Sequence, residues 1–279
     1  FSYCLFNNLI ISFISFIIYS IVPEYVLMSR FSLLENIIIP LSLLSFLLIN
    51  ISKYVKNKWN NVFLLLAGLT SGFAFLTKES GVFIIITVLI LLITNKSSIK
   101  KILIYLTPIA LLSTIYYGYM YYLSPDLFFK LLFDQASREW FGPLSFFYQI
   151  IQPNFSGFPK SGYWLFGLIS LFILFFKNQK KYLNLFLPFI IYIFIFLFMG
   201  GLNYPWYYLP LLPYIIIASA VMIHKILSKP NLSSVSLFYL LIFCSSFYWG
   251  YFVFHQNQNN YLFFRISLFL FLILFIIKK

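Results

Sequence analysis

An all-α bundle of membrane-spanning helices is the fold class this sequence predicts, and three observations predict it. The chain is 62% hydrophobic and only 9% charged, against roughly 25% charged in an average soluble domain. Its apolar residues form continuous Ile, Leu and Phe runs, not the alternating segments of about ten residues that build a membrane β-barrel. Short polar loops separate the runs, and lysines crowd into alternate loops.

A helix needs roughly 17 to 25 apolar residues to cross about 30 Å of hydrocarbon. Ten runs fit that need when polar flanks count as interfacial: about 5–22, 37–52, 60–77, 80–95, 102–123, 162–176, 182–200, 206–223, 233–254 and 262–277. The whole of 1–279 thus reads as a single transmembrane domain of about ten crossings. The fourth and sixth runs are short, yet deleting either would break the alternation of lysine-rich loops downstream.

Those loops hold Lys53, Lys56 and Lys58; Lys96, Lys100 and Lys101; Lys177, Lys180 and Lys181; Lys225 and Lys229; and Lys278 and Lys279. By the positive-inside rule they face the cytoplasm, as do both ends of the chain. All six acids, Glu24, Glu35, Glu79, Asp126, Asp134 and Glu139, fall on the other side with Arg30, Arg138 and Arg265. Chemistry that needs ionisable groups is therefore expected at the outer face.

The net charge of +13 does not point to nucleic acid, because most basic residues sit in turns where they set orientation and meet anionic lipid. Cys4 and Cys244 lie within apolar runs and suggest neither a disulfide nor a metal site. His255 stands beside Gln and Asn residues and His224 beside Lys225, with no second histidine near either one. No cofactor is assigned, since no residue pattern supports a divalent metal, and there is no phosphate-binding glycine loop or Ser-His-Asp arrangement.

The segment 124–161 is the one long outer loop. Asp126, Lys130, Asp134 and Arg138 recur every four residues with alternating sign, so they share one helical face, while Leu127, Phe128, Leu131, Leu132 and Trp140 take the other. That pattern predicts a helix lying on the membrane surface. Residues 141–160, with Pro143, Pro153, Pro159, Gly142 and Gly157, read as an irregular cover. A glycosylation sequon at Asn154–Ser156 lies within it.

Three constellations carry candidate chemistry. In Pro23–Glu35, Arg30 offers a planar fork suited to a phosphate, or else snorkels to lipid headgroups, and Glu35 gains nothing from lipid phosphates. In Gly68–Ser80, Gly68 and Gly72 are spaced to let a neighbouring helix approach closely, and Lys78 and Glu79 occupy a very short turn between two crossings. Lys78 is the candidate contact for an anionic ligand; the plainer reading pairs it with Glu79 or with headgroups. In Gly200–Ala220, Tyr204, Trp206, Tyr207 and Tyr208 sit at the outer boundary, as interfacial anchors or as surfaces for a sugar ring or polyprenyl chain.

Ser29–Ile49 (SRFSLLENIIIPLSLLSFLLI), Leu64–Ile93 (LLLAGLTSGFAFLTKESGVFIIITVLILLI) and Tyr204–Ala220 (YPWYYLPLLPYIIIASA) together resemble the GT-C membrane glycosyltransferases, in particular the protein mannosyltransferase and aminoarabinose transferase-like family. Arg30 and Glu35 stand where that family has an Arg and, five residues on, an acid. Leu76, Thr77 and Lys78 match its Leu-Thr-Lys helix end. Asn203 departs from the pattern, where an Arg often precedes the late Tyr.

The resemblance implies inverting transfer of a sugar from a polyprenyl-phosphate donor to a protein, lipid or glycan acceptor outside the cytoplasm. It implies substrate contacts from Arg30, Glu35 and Lys78, and charge and position at the outer face add Glu79, Arg138, Tyr204, Trp206 and Tyr207 as candidate substrate contacts. The family's principal catalytic acid lies in a first outer loop, expected upstream of Phe1, so no catalytic residue is assigned within this chain. A transporter or lipid flippase is the competing reading. Transport favours ionisable or broken-helix sites near the bilayer midplane, whereas the crossings here hold almost no charge and the acids collect at one face. A non-catalytic scaffold or degenerate homologue is a third.

Overall fold

The computed structural model describes residues 1–22, 25–26, 29–31, 33–55, 57–136, 154–155, 158–159, 162–199 and 205–229. Within them the chain folds as α1 (Ser2–Phe6), α2 (Leu9–Ile21), α3 (Glu35–Ser52), α4 (Asn57–Thr77), α5 (Val82–Thr94), α6 (Ile99–Leu123), α7 (Pro125–Ala136), α8 (Gly162–Lys177), α9 (Gln179–Met199) and α10 (Leu212–Ser228). Short 3-10 turns at Glu79–Gly81 and Pro205–Leu211 lead into α5 and α10. Asn154–Phe155 pairs with Phe158–Pro159 as a minimal antiparallel ladder, inside the stretch expected to be irregular.

This is an all-α membrane bundle, as the composition requires. Five helices are long and apolar enough to cross a bilayer, and Leu9–Ile21, Glu79–Thr94 and Gly162–Lys177 are shorter apolar helices. The first eight expected runs each coincide with helix in the described residues. The ninth and tenth, with Cys244, His255 and Arg265, lie outside those residues. The run expected at 5–22 is broken near its start: Asn7 adopts a left-handed conformation at φ 49°, and Asn8 caps α2 by accepting the Ile11 N–H at 3.0 Å. Asn tolerates that conformation and caps well, so a helix end is favoured there over a continuous helix.

Glycine and proline decide how closely the helices pack. A Cβ on Gly68 would collide with the Tyr105 carbonyl and the Pro108 ring, and one on Gly72 would lie 3.0 Å from Leu112 Cδ1. The small-residue face of α4 is thus what lets α6 approach, and Pro108, inside α6, seats its ring in the notch left by Gly68. Gly167 does the same between α8 and α10, against Ile215 and Ser219. On its other side α4 packs along α3.

Three hydroxyls buried between α3, α4 and α6 satisfy one another. Tyr105 donates to Ser71 Oγ at 2.9 Å, and Ser71 and Ser45 hydroxyls lie 2.8 Å apart, so α6, α4 and α3 share one hydrogen-bonded chain. Ser71 donates to the Ala67 carbonyl at 2.8 Å, which leaves Ser45 to donate to Ser71. In a hydrocarbon environment an unpaired hydroxyl is costly, and mutual pairing removes that cost.

The helices run up and down, which sorts the loops into two ends. At one end lie the first turn of α3, the exit of α4 and the entry to α10. At the other, Asn8 Nδ2 lies 3.4 Å from His224 Nε2, Phe6 packs on Tyr182, and Asn60 donates to the Ser52 carbonyl at 2.7 Å. Glu35, Lys78 and Tyr207, expected on one side of the membrane, therefore share one end of the bundle. Helix α7 follows α6 directly, with Phe128 packed against Tyr117 and Tyr121, and leaves Leu127, Phe129, Leu131, Leu132 and Phe133 exposed.

Candidate functional site

Lys78 and Glu35 meet at the first of these ends. Helix α4 stops at Thr77, Lys78 turns to an extended conformation at φ −162°, ψ 139°, and the 3-10 turn Glu79–Gly81 redirects the chain into α5. Gly81 makes this turn possible by packing directly on the end of α4, where any Cβ would collide with the Ala74 carbonyl. Its N–H closes the turn on the Lys78 carbonyl at 2.8 Å. The short turn leaves Lys78 little freedom to reach solvent, and its side chain crosses to α3.

Glu35 opens α3, where a carboxylate complements the partial positive charge of the helix N-terminus. The preceding bend is fixed by Asn36, whose side-chain amide donates to the Phe31 carbonyl at 2.8 Å. Glu35 is 2% exposed, and Lys78 Nζ donates to its Oε1. A carboxylate this buried costs several kcal/mol unless paired, so the pair explains how each charge is tolerated. It is the only ion pair among the described residues.

The Lys78 ammonium also lies 3.8 Å from the centre of the Tyr207 ring. Tyr207 belongs to the 3-10 turn before α10, and its carbonyl accepts a 2.7 Å hydrogen bond from the buried Tyr192 hydroxyl of α9. Phe196 packs on Tyr207 at 5.3 Å, Tyr192 lies 4.8 Å from Phe196, and Phe83 meets Tyr192 edge-on at 5.0 Å. An aromatic wall from α5, α9 and the 3-10 turn thus backs a cation held by α3 and α4. A face-on ring contributes about 0.5 to 2 kcal/mol to holding an ammonium.

The expected site residues separate clearly. Glu35, Lys78 and Tyr207 come together from three distant stretches of sequence. Glu79 and Arg30 are exposed, and Arg30 makes no ion pair among the described residues. The plainer reading of Lys78, as a partner of Glu79, gives way to a pairing with Glu35. Arg138 and Tyr204 lie outside the described residues, as does the Trp206 side chain, although its backbone belongs to the 3-10 turn. No group of three or more His, Cys, Asp or Glu suited to a metal occurs among the described residues.

Tyr192 was not anticipated. Its signal is a phenol at the middle of the Ile-, Phe- and Leu-rich run 182–200, where a hydroxyl without a partner would be expensive. What the sequence does not indicate is that the partner would be the backbone of the turn carrying Tyr207.

A helical membrane bundle with a buried lysine–carboxylate pair at one end, backed by aromatic rings, is the arrangement that fold and site define. Residues 3–122 match the family model for dolichyl-phosphate-mannose-protein mannosyltransferase, and the class this supports is a membrane glycosyltransferase of the GT-C type. The resemblance read from Ser29–Ile49 and Leu64–Ile93 falls within the matched residues, with Glu35 and Lys78; the one read from Tyr204–Ala220 falls beyond them. No curated protein and no solved structure matches the chain significantly.

Proposed function

We propose that this chain holds the donor in an inverting transfer of a sugar from a polyprenyl-phosphate carrier to a protein, lipid or glycan acceptor, on the outer face of the membrane. The observation that carries the reading is the placement of Lys78, fixed by Glu35 and Tyr207 at the bundle end where the sequence gathers its acids and arginines. In the displacement, the bond from C1 of the sugar to the phosphate oxygen breaks, and its electron pair stays on that oxygen. The acceptor oxygen bonds C1 from the opposite face, and its proton passes to a base that none of the residues named here supplies.

The leaving phosphate gains charge as the bond breaks, so a fixed cation beside it stabilises the transition state more than the ground state. Lys78 has that role in this reading. An ammonium has three N–H donors, and Glu35 takes one of them; donor binding exchanges others of its contacts for phosphate oxygens. Glu35, at 2% exposure, acts by positioning Lys78 and not by touching the sugar. Arg30, and Arg138 from the long loop, are the further cations for the phosphate. Glu79, Tyr204, Trp206 and Tyr207 are the polar and aromatic surface for the sugar or the lipid chain.

Transfer from a polyprenyl-phosphate sugar, assayed on the full-length protein in liposomes, tests this directly. Lys78→Ala and Arg30→Ala should each abolish transfer, compared per amount of folded protein because Lys78→Ala also leaves Glu35 unpaired, while membrane insertion stays normal. Normal turnover in both variants overturns the assignment of the phosphate contacts. Substrate movement across the bilayer without any transferred sugar would favour the transporter reading.

A further inference from the structure

The opposite end of the bundle carries cations that the proposed reaction does not use. We propose that Lys181 and Lys225, which lie against Tyr182, together with Lys177 at the neighbouring end of α8, bind the phosphate headgroup of an anionic phospholipid at that end. Tyr182 is buried to 3% exposure at the start of α9 and forms the floor of the cluster. Lys225 Nζ lies 5.2 Å and Lys181 Nζ 5.9 Å from the centre of its ring, and the Lys177 charge acts on Lys225.

The positions are fixed by the fold. Asn178 sits in the turn between α8 and α9 and accepts the Lys181 backbone N–H at 3.1 Å, which sets where α9 begins. Phe6 packs on Tyr182 at 5.9 Å, and the Asn8–His224 contact ties α2 to α10 one residue before Lys225. Lys181 and Lys225, from two helices, are thereby brought to one buried ring, and Lys177 at the end of a third helix repels Lys225.

Among the described residues no carboxylate offsets them. The described acids, Glu35, Glu79, Asp126 and Asp134, all belong to the other end or to the helix that follows it, and the only described ion pair is Lys78–Glu35. An anion from outside the chain would relieve the repulsion between them. The lysine side chains are exposed, so an anion can reach them. They stand where apolar helices α8, α9 and α10 begin or end, the height at which lipid phosphates lie, so a lipid headgroup fits better than a soluble anion. Two such lysines contribute on the order of 30-fold in affinity for an anionic headgroup.

The test is lipid binding to the full chain purified in neutral detergent, read by thermal melting and by native mass spectrometry. Phosphatidylglycerol should raise the melting temperature of the wild type saturably and remain bound in the spectrometer, while phosphatidylcholine does neither. Lys181→Gln/Lys225→Gln should weaken the response at least ten-fold. Lys100→Gln/Lys101→Gln, which removes equal charge elsewhere at the same end, should keep it. Equal weakening in both double variants would show diffuse surface charge and overturn the site. An equal response to inorganic phosphate alone would overturn the lipid assignment. Should the first variant not fold, failure of wild-type protein to retain phosphatidylglycerol in preference to phosphatidylcholine overturns the proposal by itself.

Discussion

Lys78 donates a hydrogen bond to Glu35 across 43 positions of sequence, joining the exit of α4 to the first turn of α3. Neither residue is stable alone in that place. Glu35 has almost no water to solvate it, and Lys78 is committed to the interior by a turn that Gly81 keeps tight.

The pair should therefore be strongly coupled. Breaking it from one side, with Lys78→Met or Glu35→Leu alone, is expected to cost about 3 to 5 kcal/mol, because the remaining charge is buried without its partner. The double variant should recover much of that loss. Denaturation of the detergent-solubilised chain, arranged as a double-mutant cycle, checks this; additive losses would show that the two side chains act independently.

Tyr192→Phe removes the hydroxyl that holds the Tyr207 carbonyl at 2.7 Å. About 0.5 to 1.5 kcal/mol of stability should be lost, the typical worth of one such bond. If the ring beneath Lys78 matters to donor binding, the same variant should raise KM for the polyprenyl-phosphate sugar several-fold. Unchanged stability and unchanged KM would remove Tyr192 from the site's support.

Close helix packing gives a sharper contrast between two glycines on facing helices. Gly68→Ala drives a methyl group into the Tyr105 carbonyl and the Pro108 ring, whereas Gly118 has nothing within 4 Å of an added Cβ. Overpacking of that kind costs about 1 to 3 kcal/mol. Gly118→Ala should be neutral or slightly stabilising, since Ala is the better helix former by roughly 1 kcal/mol. Melting temperatures of the two variants decide the matter, and equal shifts would contradict the packing described for α4 and α6.

Orientation is tested by cysteine labelling from outside intact cells, in a background with Cys4 and Cys244 replaced. Glu79→Cys and Asp134→Cys should react with a membrane-impermeant maleimide, and Lys100→Cys and Lys181→Cys only after permeabilisation. Glu35 is too buried to report in this way. The reverse pattern would place the Lys78–Glu35 end in the cytoplasm and remove the outer-face transferase reading.

How much of this could be read beforehand depends on the length scale of each signal. The helices were legible because hydrocarbon demands long apolar runs, and hydropathy records that demand directly. The close contact at Gly68 and Gly72 was legible because small residues four apart have few other uses in a membrane helix. The break at Asn7 and Asn8 was not, because a run of apolar residues with two Asn can continue or stop. Lys78 and Glu35 were each visible as ionisable groups at crossing ends. Their pairing was hidden, since the partner nearest in sequence, Glu79, points to a different contact. Ser45, Ser71 and Tyr105 lie on three separate runs, and only packing shows that their hydroxyls meet.

Binding of polyprenyl phosphate to the purified full-length protein, compared between wild type and Lys78→Ala, tests the role of Lys78 most directly, because it isolates the phosphate from acceptor and sugar. A loss of affinity of at least ten-fold, with folding intact by circular dichroism, is the expected result. Equal affinity in the two proteins would contradict it.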